Sequence, residues 1–239
     1  MSAASGSRSE IEASLDNGRF MNQEMATKAV EKAIEHGASY ADLRLVSNQN
    51  TSISMRDGKV RNAIPGHDIG VTLRCLVDGS WGVYSTSDVS SIPSQVESTV
   101  RLGRQVAHRR ASDQPEVRLA EIPISTKDVH WQPKEDIRYV DIEQKVAVLS
   151  EFDSLIRTDD RIISVNTGFS DEHVHSELVS SEGMDRAWSF QRTCTNAIVT
   201  GREDGEVASY RTRIGGVGGY EAIEKVDIQE VAQNATRST

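Results

Sequence analysis

Long apolar runs are missing from this chain. Nothing approaches the roughly 20 residues that a bilayer-crossing helix needs, and the opening MSAASGSRSE has no apolar signal-peptide core. A cytoplasmic protein without a membrane partner is expected. Cysteine is scarce: Cys75 and Cys194 lie far apart in strand-like segments, which excludes a disulfide framework or a zinc ribbon and reads as two reduced thiols. Positive charge is also short, with 27 Lys and Arg against 36 Asp and Glu, a net charge of −9. That balance disfavours nucleic acid, whose binding rests on Lys and Arg releasing counterions. Catalytic signatures are absent as well: no HExxH, no GxSxG and no phosphate loop ending in GK[ST] occurs.

What remains is an ordinary globular composition, 37% hydrophobic and 26% charged over 239 residues, enough for one domain or two small ones. The pattern predicts an α+β fold, two modules of antiparallel sheet with flanking helices. Residues 1–21 are Ser-rich and aperiodic and read as a mobile leader. The first module, 22–110, starts with a helix whose Met25, Ala29, Val30, Ala33 and Ile34 recur at helical spacing and which Gly37 closes. Alternating Ala41–Leu45 and Ile53–Met55 lead into Asp57-Gly58, the turn pair that favours a two-residue hairpin because both positions take positive φ. Val60–Ile64 continues beyond it. A second hairpin, Val71–Val77 and Trp81–Ser85 around Asp78-Gly79, brings the expected strands to four. Ser91-Ile92-Pro93 then opens a helix carrying Val96, Val100 and Val106.

Residues 111–136, with Pro115, Pro123 and Pro133, read as a connector with an extended piece at Val117–Leu119. The second module, 137–220, begins with a helix capped by Asp141 with Gln144 in a capping box and striped by Ile142, Val146, Leu149, Phe152 and Ile156. Strands follow at 162–170, 173–181, 186–200 and 206–213, joined at Ser170-Asp171, Glu182-Gly183 and Asp204-Gly205. The shared order suggests a diverged duplication. Residues 221–239 read as the start of a linker helix, with Ile228, Val231 and Ala232 in helical pattern from Asp227.

Candidate chemistry is thin. His173-x-His175 puts two imidazoles on one strand face, a metal pair lacking an evident third ligand, since the nearby Asp171, Glu172 and Glu177 read equally as solvated carboxylates. Gly215, Gly216, Gly218 and Gly219 either cradle a phosphate or allow tight strand packing, and the following Tyr220 and Glu221 would repel an anion. Arg101, Arg104, His108, Arg109 and Arg110 form either a basic patch or cations at a helix C-terminus. Trp81 and Trp188 read as packing residues and Trp131 as a cover over a domain junction.

The segments YADLRLVSNQNTSISMRDGKVRNA and GVTLRCLVDGSWGVYSTSDV resemble the first domain of the TldD/PmbA family, once described as modulators of DNA gyrase. Tyr40–Arg44 is closer to the TldD branch, and Asp57-Gly58, Gly70, Asp78-Gly79, Trp81-Gly82 and Ser85-Thr86 fall on the family pattern. Asp141 to Tyr220, with Ser181-Glu182-Gly183, resembles the family's middle domain. The resemblance implies a dimeric zinc-dependent peptidase acting on peptides or unfolded proteins, with zinc held on an HExxxH helix of a C-terminal half. No such half is present, so zinc is expected there and no residue of this chain takes over a catalytic or metal role; its substrate-binding residues stay unassigned. The chain is then expected to shape the substrate chamber and a homodimer or heterodimer without hydrolysing anything itself. Two other readings stand beside it: a stand-alone peptide-binding or partner-subunit module using an exposed strand edge, and an enzyme with a metal at His173 and His175.

Overall fold

The computed structural model describes residues 19–110, 115–224 and 228–237. In chain order the elements are α1 (Gln23–Glu35), β1 (Tyr40–Arg56), β2 (Lys59–Val77), β3 (Ser80–Thr86), α2 (Ile92–Arg109), β4 (Val129–His130), α3 (Ile142–Ile156), β5 (Ile162–Ser180), β6 (Asp185–Glu203), β7 (Glu206–Val217), α4 (Glu221–Glu224) and α5 (Ile228–Arg237). Short 3-10 turns at Val89–Ser91 and Ile137–Tyr139 precede α2 and α3. The strands form one sheet in the order β3-β2-β1-β5-β6-β4, with β7 also on β6. The fold is α+β: within 22–110 the order is helix, three strands, helix, and within 137–220 it is helix and three strands.

Three hairpin turns follow from Asp-Gly pairs. Asp57 and Gly58 take φ of 52° and 77°, Asp78 and Gly79 47° and 69°, and Asp204 and Gly205 49° and 85°, the positive values a tight two-residue hairpin demands. The registers close accordingly, with Val77 opposite Ser80 and Glu203 opposite Glu206.

The strand count differs from expectation in both modules. The segments 60–64 and 71–77 are one strand, β2, running through Pro65 and Gly66. β3 pairs only with residues 71–77, so the Pro65 stretch has no β3 ladder to break, and a proline is tolerated on such an edge. β5 is likewise unbroken across Ser170-Asp171. Asp171 is buried against Lys145 and cannot serve as an exposed turn residue.

The described residues divide into two compact units that interleave in sequence: 19–47, 69–110, 115–130 and 175–188 in the first, and 48–68, 131–174, 189–224 and 228–237 in the second. β1, β2, β5 and β6 each contribute residues to both.

In the first unit Ala26, Ala29, Val30 and Ala33 of α1 and Val96 and Val100 of α2 pack on Leu43, Leu45, Val71, Leu73 and Cys75. Asn22 caps α1 by accepting from the Met25 N–H at 2.9 Å, and Gly37 ends it at φ 98°. Ile34 and Val106, expected on apolar stripes, are exposed. Gly82 explains its place after Trp81: a Cβ there would stand 2.0 Å from the Thr99 carbonyl oxygen, so only glycine lets α2 lie this close to β3. Ser91 makes no side-chain cap bond to α2; Asp88 instead accepts from the Ser90 N–H of the preceding turn.

In the second unit Leu149, Phe152 and Ile156 of α3 pack on Ile53, Met55, Val165, Phe169, Ala197, Val199 and Tyr220. The expected capping box does not form: Asp141 makes no side-chain cap bond, while Asp136 caps the 3-10 turn upstream by accepting from the Arg138 N–H at 2.9 Å.

Residues 1–18 of the expected leader, 111–114 of the connector and 225–227, including Asp227, lie outside the described residues. The end of the leader is held in place: Arg19 pairs with Asp128 and Asp185, and Met21 is buried. In the connector the strand is Val129–His130, whereas Val117 in the expected extended piece contributes one bond, its N–H to the Gly79 carbonyl at 3.0 Å.

Candidate functional site

Alternation along the strands of the second unit gives its sheet two unlike faces. One face carries Ile53, Met55, Val165, Phe169, Ala197 and Val199 against α3. The other carries Asn48, Asn50 and Ser52 of β1, Ser170 and Glu172 of β5, Arg192 and Cys194 of β6, and Arg213 and Gly215 of β7, which together line an open cleft of about 680 Å³. A second hollow of about 510 Å³ adjoins it through Ser52 and Ser170 and adds Ser54, Arg56, Arg61, Asn166, Gly168 and Asn196. The result is a continuous polar trough across β1, β5, β6 and β7.

Small residues shape it. A Cβ on Gly168 would lie 2.9 Å from the Asn196 amide and one on Gly66 2.8 Å from that of Asn50, so each glycine makes room for a neighbouring amide. At Gly215, φ 153°, a Cβ would stand 2.2 Å from the Thr193 carbonyl, which explains the glycine opposite Cys194. Arg213 Nε donates to Cys194 Sγ at 2.9 Å, and Arg192 pairs with Glu172. Asn48 Oδ1 is buried and accepts no hydrogen bond among the described residues.

Beneath the trough lies a buried ion pair. Lys145 Nζ sits 2.7 Å from Asp171 Oδ2 and also donates to the Ile137 carbonyl at 3.0 Å and Thr51 Oγ1 at 3.3 Å. Burial pushes the Asp171 carboxyl above its ordinary value in spite of the lysine beside it. Lys145 was not picked out from sequence, although its spacing from Leu149 and Phe152 places a charge on the apolar stripe; that misfit was the available signal.

The glycine-rich run binds its own chain. Gly218 N–H donates to the Gln191 carbonyl at 2.9 Å, Tyr220 N–H to that of Glu135 at 2.8 Å and Gly219 N–H to Glu221 Oε1 at 3.3 Å. Tyr220 is a core residue. A phosphate cradle is therefore replaced by tight packing. Although burial alone would raise it, backbone N–H donors, that of Glu135 first, hold the Glu221 carboxyl below its ordinary value.

In the first unit His175 is buried, with Nε2 3.0 Å from Glu177 Oε1, its ring stacked on His130 at 5.9 Å and edge-on to Phe20 at 4.8 Å. Glu177, fully buried, also accepts from the Phe20 and Met21 N–H groups. His175 is thus engaged in a packed cluster, while His173 is half-buried. Among the described residues no group of three or more His, Cys, Asp or Glu side chains is placed to hold a metal ion. The basic patch on α2 serves structure in part: Arg104 donates to the His36 carbonyl at 3.0 Å and Arg110 to that of Gly79 at 2.8 Å. Trp81 and Trp188 are half-buried rather than core, with Arg74 over the first ring at 4.9 Å and Arg44 over the second at 5.4 Å. Trp131 is 40% exposed. No described helix is long and apolar enough to cross a membrane.

Residues 41–107 match the PmbA/TldA metallopeptidase domain 1, and residues 135–239 match the PmbA/TldA metallopeptidase central domain. The chain belongs to the PmbA/TldD family. Two relatives named metalloproteases, from Methanothermobacter thermautotrophicus and from Synechocystis, are each 25% identical over 84% of this chain and over 42% and 43% of their own lengths. The chain therefore spans less than half the length of these curated relatives. Among solved structures, a protein described as a candidate modulator of DNA gyrase from Bacteroides thetaiotaomicron superposes with a TM-score of 0.70 at 20% identity, over 90% of this chain and 48% of that one. TldE from Thermococcus kodakarensis superposes at 0.65 and 14%, over 89% and 46%. The PmbA/TldD fold is thus shared at identities where only the fold carries over.

Proposed function

We propose that this chain is the N-terminal, non-catalytic region of a TldD-like zinc-dependent metallopeptidase, shaping the chamber that admits peptide or unfolded protein and taking part in its dimer. The observation that carries this reading is that domain 1 and the central domain are matched across the chain while the match spans only 42% of a relative named a metalloprotease. The polar trough suits an accessory role, since it offers amides and guanidinium groups for holding a chain but no nucleophile paired with a base. Such a protein would act in the cytoplasm.

The test is to incubate the purified chain with zinc and unfolded casein, and separately to translate the source gene in frame beyond Thr239. No cleavage together with an HExxxH segment downstream is the expected result. Zinc-dependent cleavage by the chain itself, abolished by a chelator and retained in an active-site-free preparation of partner proteins, would overturn the non-catalytic assignment.

A further inference from the structure

Resting on the reading of this chain as a substrate-admitting region, we infer that the trough of the second unit selects extended peptide segments rich in Asp and Glu. The inference begins with a mismatch of charge. The chain as a whole carries −9, yet the cleft lining includes Arg192 and Arg213, and Arg211 lies two residues from Arg213 on the same strand face, opposite Ile198 and exposed. Opposing them is Glu172, already paired with Arg192. Asp171 contributes no free charge because its carboxylate faces Lys145 in the interior. Guanidinium groups on an open face at this density attract carboxylates, and their planar forks bind them in a defined geometry.

The neutral residues identify the ligand as a peptide. Asn48, Asn50 and Asn196 present side-chain amides, each able to donate to a peptide carbonyl and accept from a peptide N–H. A phosphodiester backbone has no such donor. Four strands spaced about 4.8 Å apart make a floor wide enough for one extended chain.

The test uses the chain alone, without metal, so that it reads binding and stays separate from any question of hydrolysis. Three fluorescein-labelled decapeptides, identical except that four positions are Asp, Asn or Lys, are titrated and followed by anisotropy, beside a labelled decathymidylate. The Asp peptide is expected to bind about tenfold more tightly than the Asn peptide, the sum of a few exposed ion pairs, and to lose that advantage between about 50 mM and 500 mM salt. The Lys peptide should bind more weakly than either. In the double variant Arg211→Gln, Arg213→Gln the Asp and Asn peptides should become equal, while Arg118→Gln, an exposed arginine of the first unit, should leave the preference intact. Equal binding of the three peptides by the unaltered chain, no binding of any, or tighter binding of decathymidylate than of the Asp peptide would overturn the inference.

Discussion

At the scale of single residues, Glu177 is a buried carboxylate held by several partners. Its carboxylate is fully buried and takes hydrogen bonds from the Met21 N–H at 3.2 Å and from the Phe20 N–H while lying 3.0 Å from His175 Nε2. Charge-assisted bonds of this kind are worth about 1.5–3 kcal/mol each. Glu177→Gln keeps the shape but removes the charge and one acceptor oxygen, so a loss of about 2 kcal/mol in urea unfolding is expected, with faster proteolysis just before α1. An unchanged urea midpoint would show that the docking of Arg19–Met21 contributes nothing to stability. Glu221 sets a different test. Its carboxyl is held below the ordinary 4.5, as that of Asp57 is held below 3.8, Asp57 chiefly by the Val165 N–H. A depressed acid binds fewer protons folded than unfolded, so its stabilisation is complete above the ordinary value and is lost as pH falls through the lower folded one. The melting temperature should therefore drop between about pH 5 and pH 3, and Glu221→Gln should be less stable at neutral pH with a shallower acid limb. A variant whose acid limb matches the parent's would remove Glu221 as a contributor.

At the scale of elements, close backbone approach decides more than side-chain pattern. Gly82→Ala places a methyl 2.0 Å from the Thr99 carbonyl oxygen and 2.8 Å from the Gly103 backbone nitrogen. Backbone atoms cannot swing aside as a side chain would, so α2 must lift from β3 at a cost of about 1–3 kcal/mol or more. Urea denaturation measures it; a loss below about 0.5 kcal/mol would mean that the helix shifts freely. The same distinction governs what the sequence made legible. Asp57-Gly58, Asp78-Gly79 and Asp204-Gly205 announced their turns because positive φ is a local demand of the residues themselves. The joining of 60–64 with 71–77 was hidden because Pro65 looks like a breaker unless one knows that β3 stops short of it. Ser170-Asp171 looked like a turn because burial of Asp171 depends on Lys145, distant in sequence. The trough was hidden for a related reason: Asn48, Ser170, Arg192 and Arg213 come from four strands, and nothing along one strand reveals that their faces coincide.

At the scale of the whole molecule, the two cores share no residue: Leu43 belongs to one and Leu149 to the other. Each is a fully buried leucine, and replacement by alanine should cost about 2–5 kcal/mol. Whether those losses appear in one transition or two depends on chain continuity. β1, β2, β5 and β6 are single strands of 17 to 19 residues, and each gives residues to both units. Melting one core frees part of each strand, and the remainder then loses the fixed end that set its register. Unfolding should thus be a single cooperative event. The tryptophans supply the test, since Trp81 and Trp188 lie in the first unit and Trp131 in the second. A variant keeping only Trp81 and another keeping only Trp131 should give the same urea midpoint within error once each is referred to its own circular-dichroism transition. Leu43→Ala introduced in the Trp131 background should move the Trp131 midpoint as far as Leu149→Ala does for an equal loss of stability. If Leu43→Ala leaves the Trp131 midpoint where it was, the strands do not couple the cores, and the units unfold as separate domains.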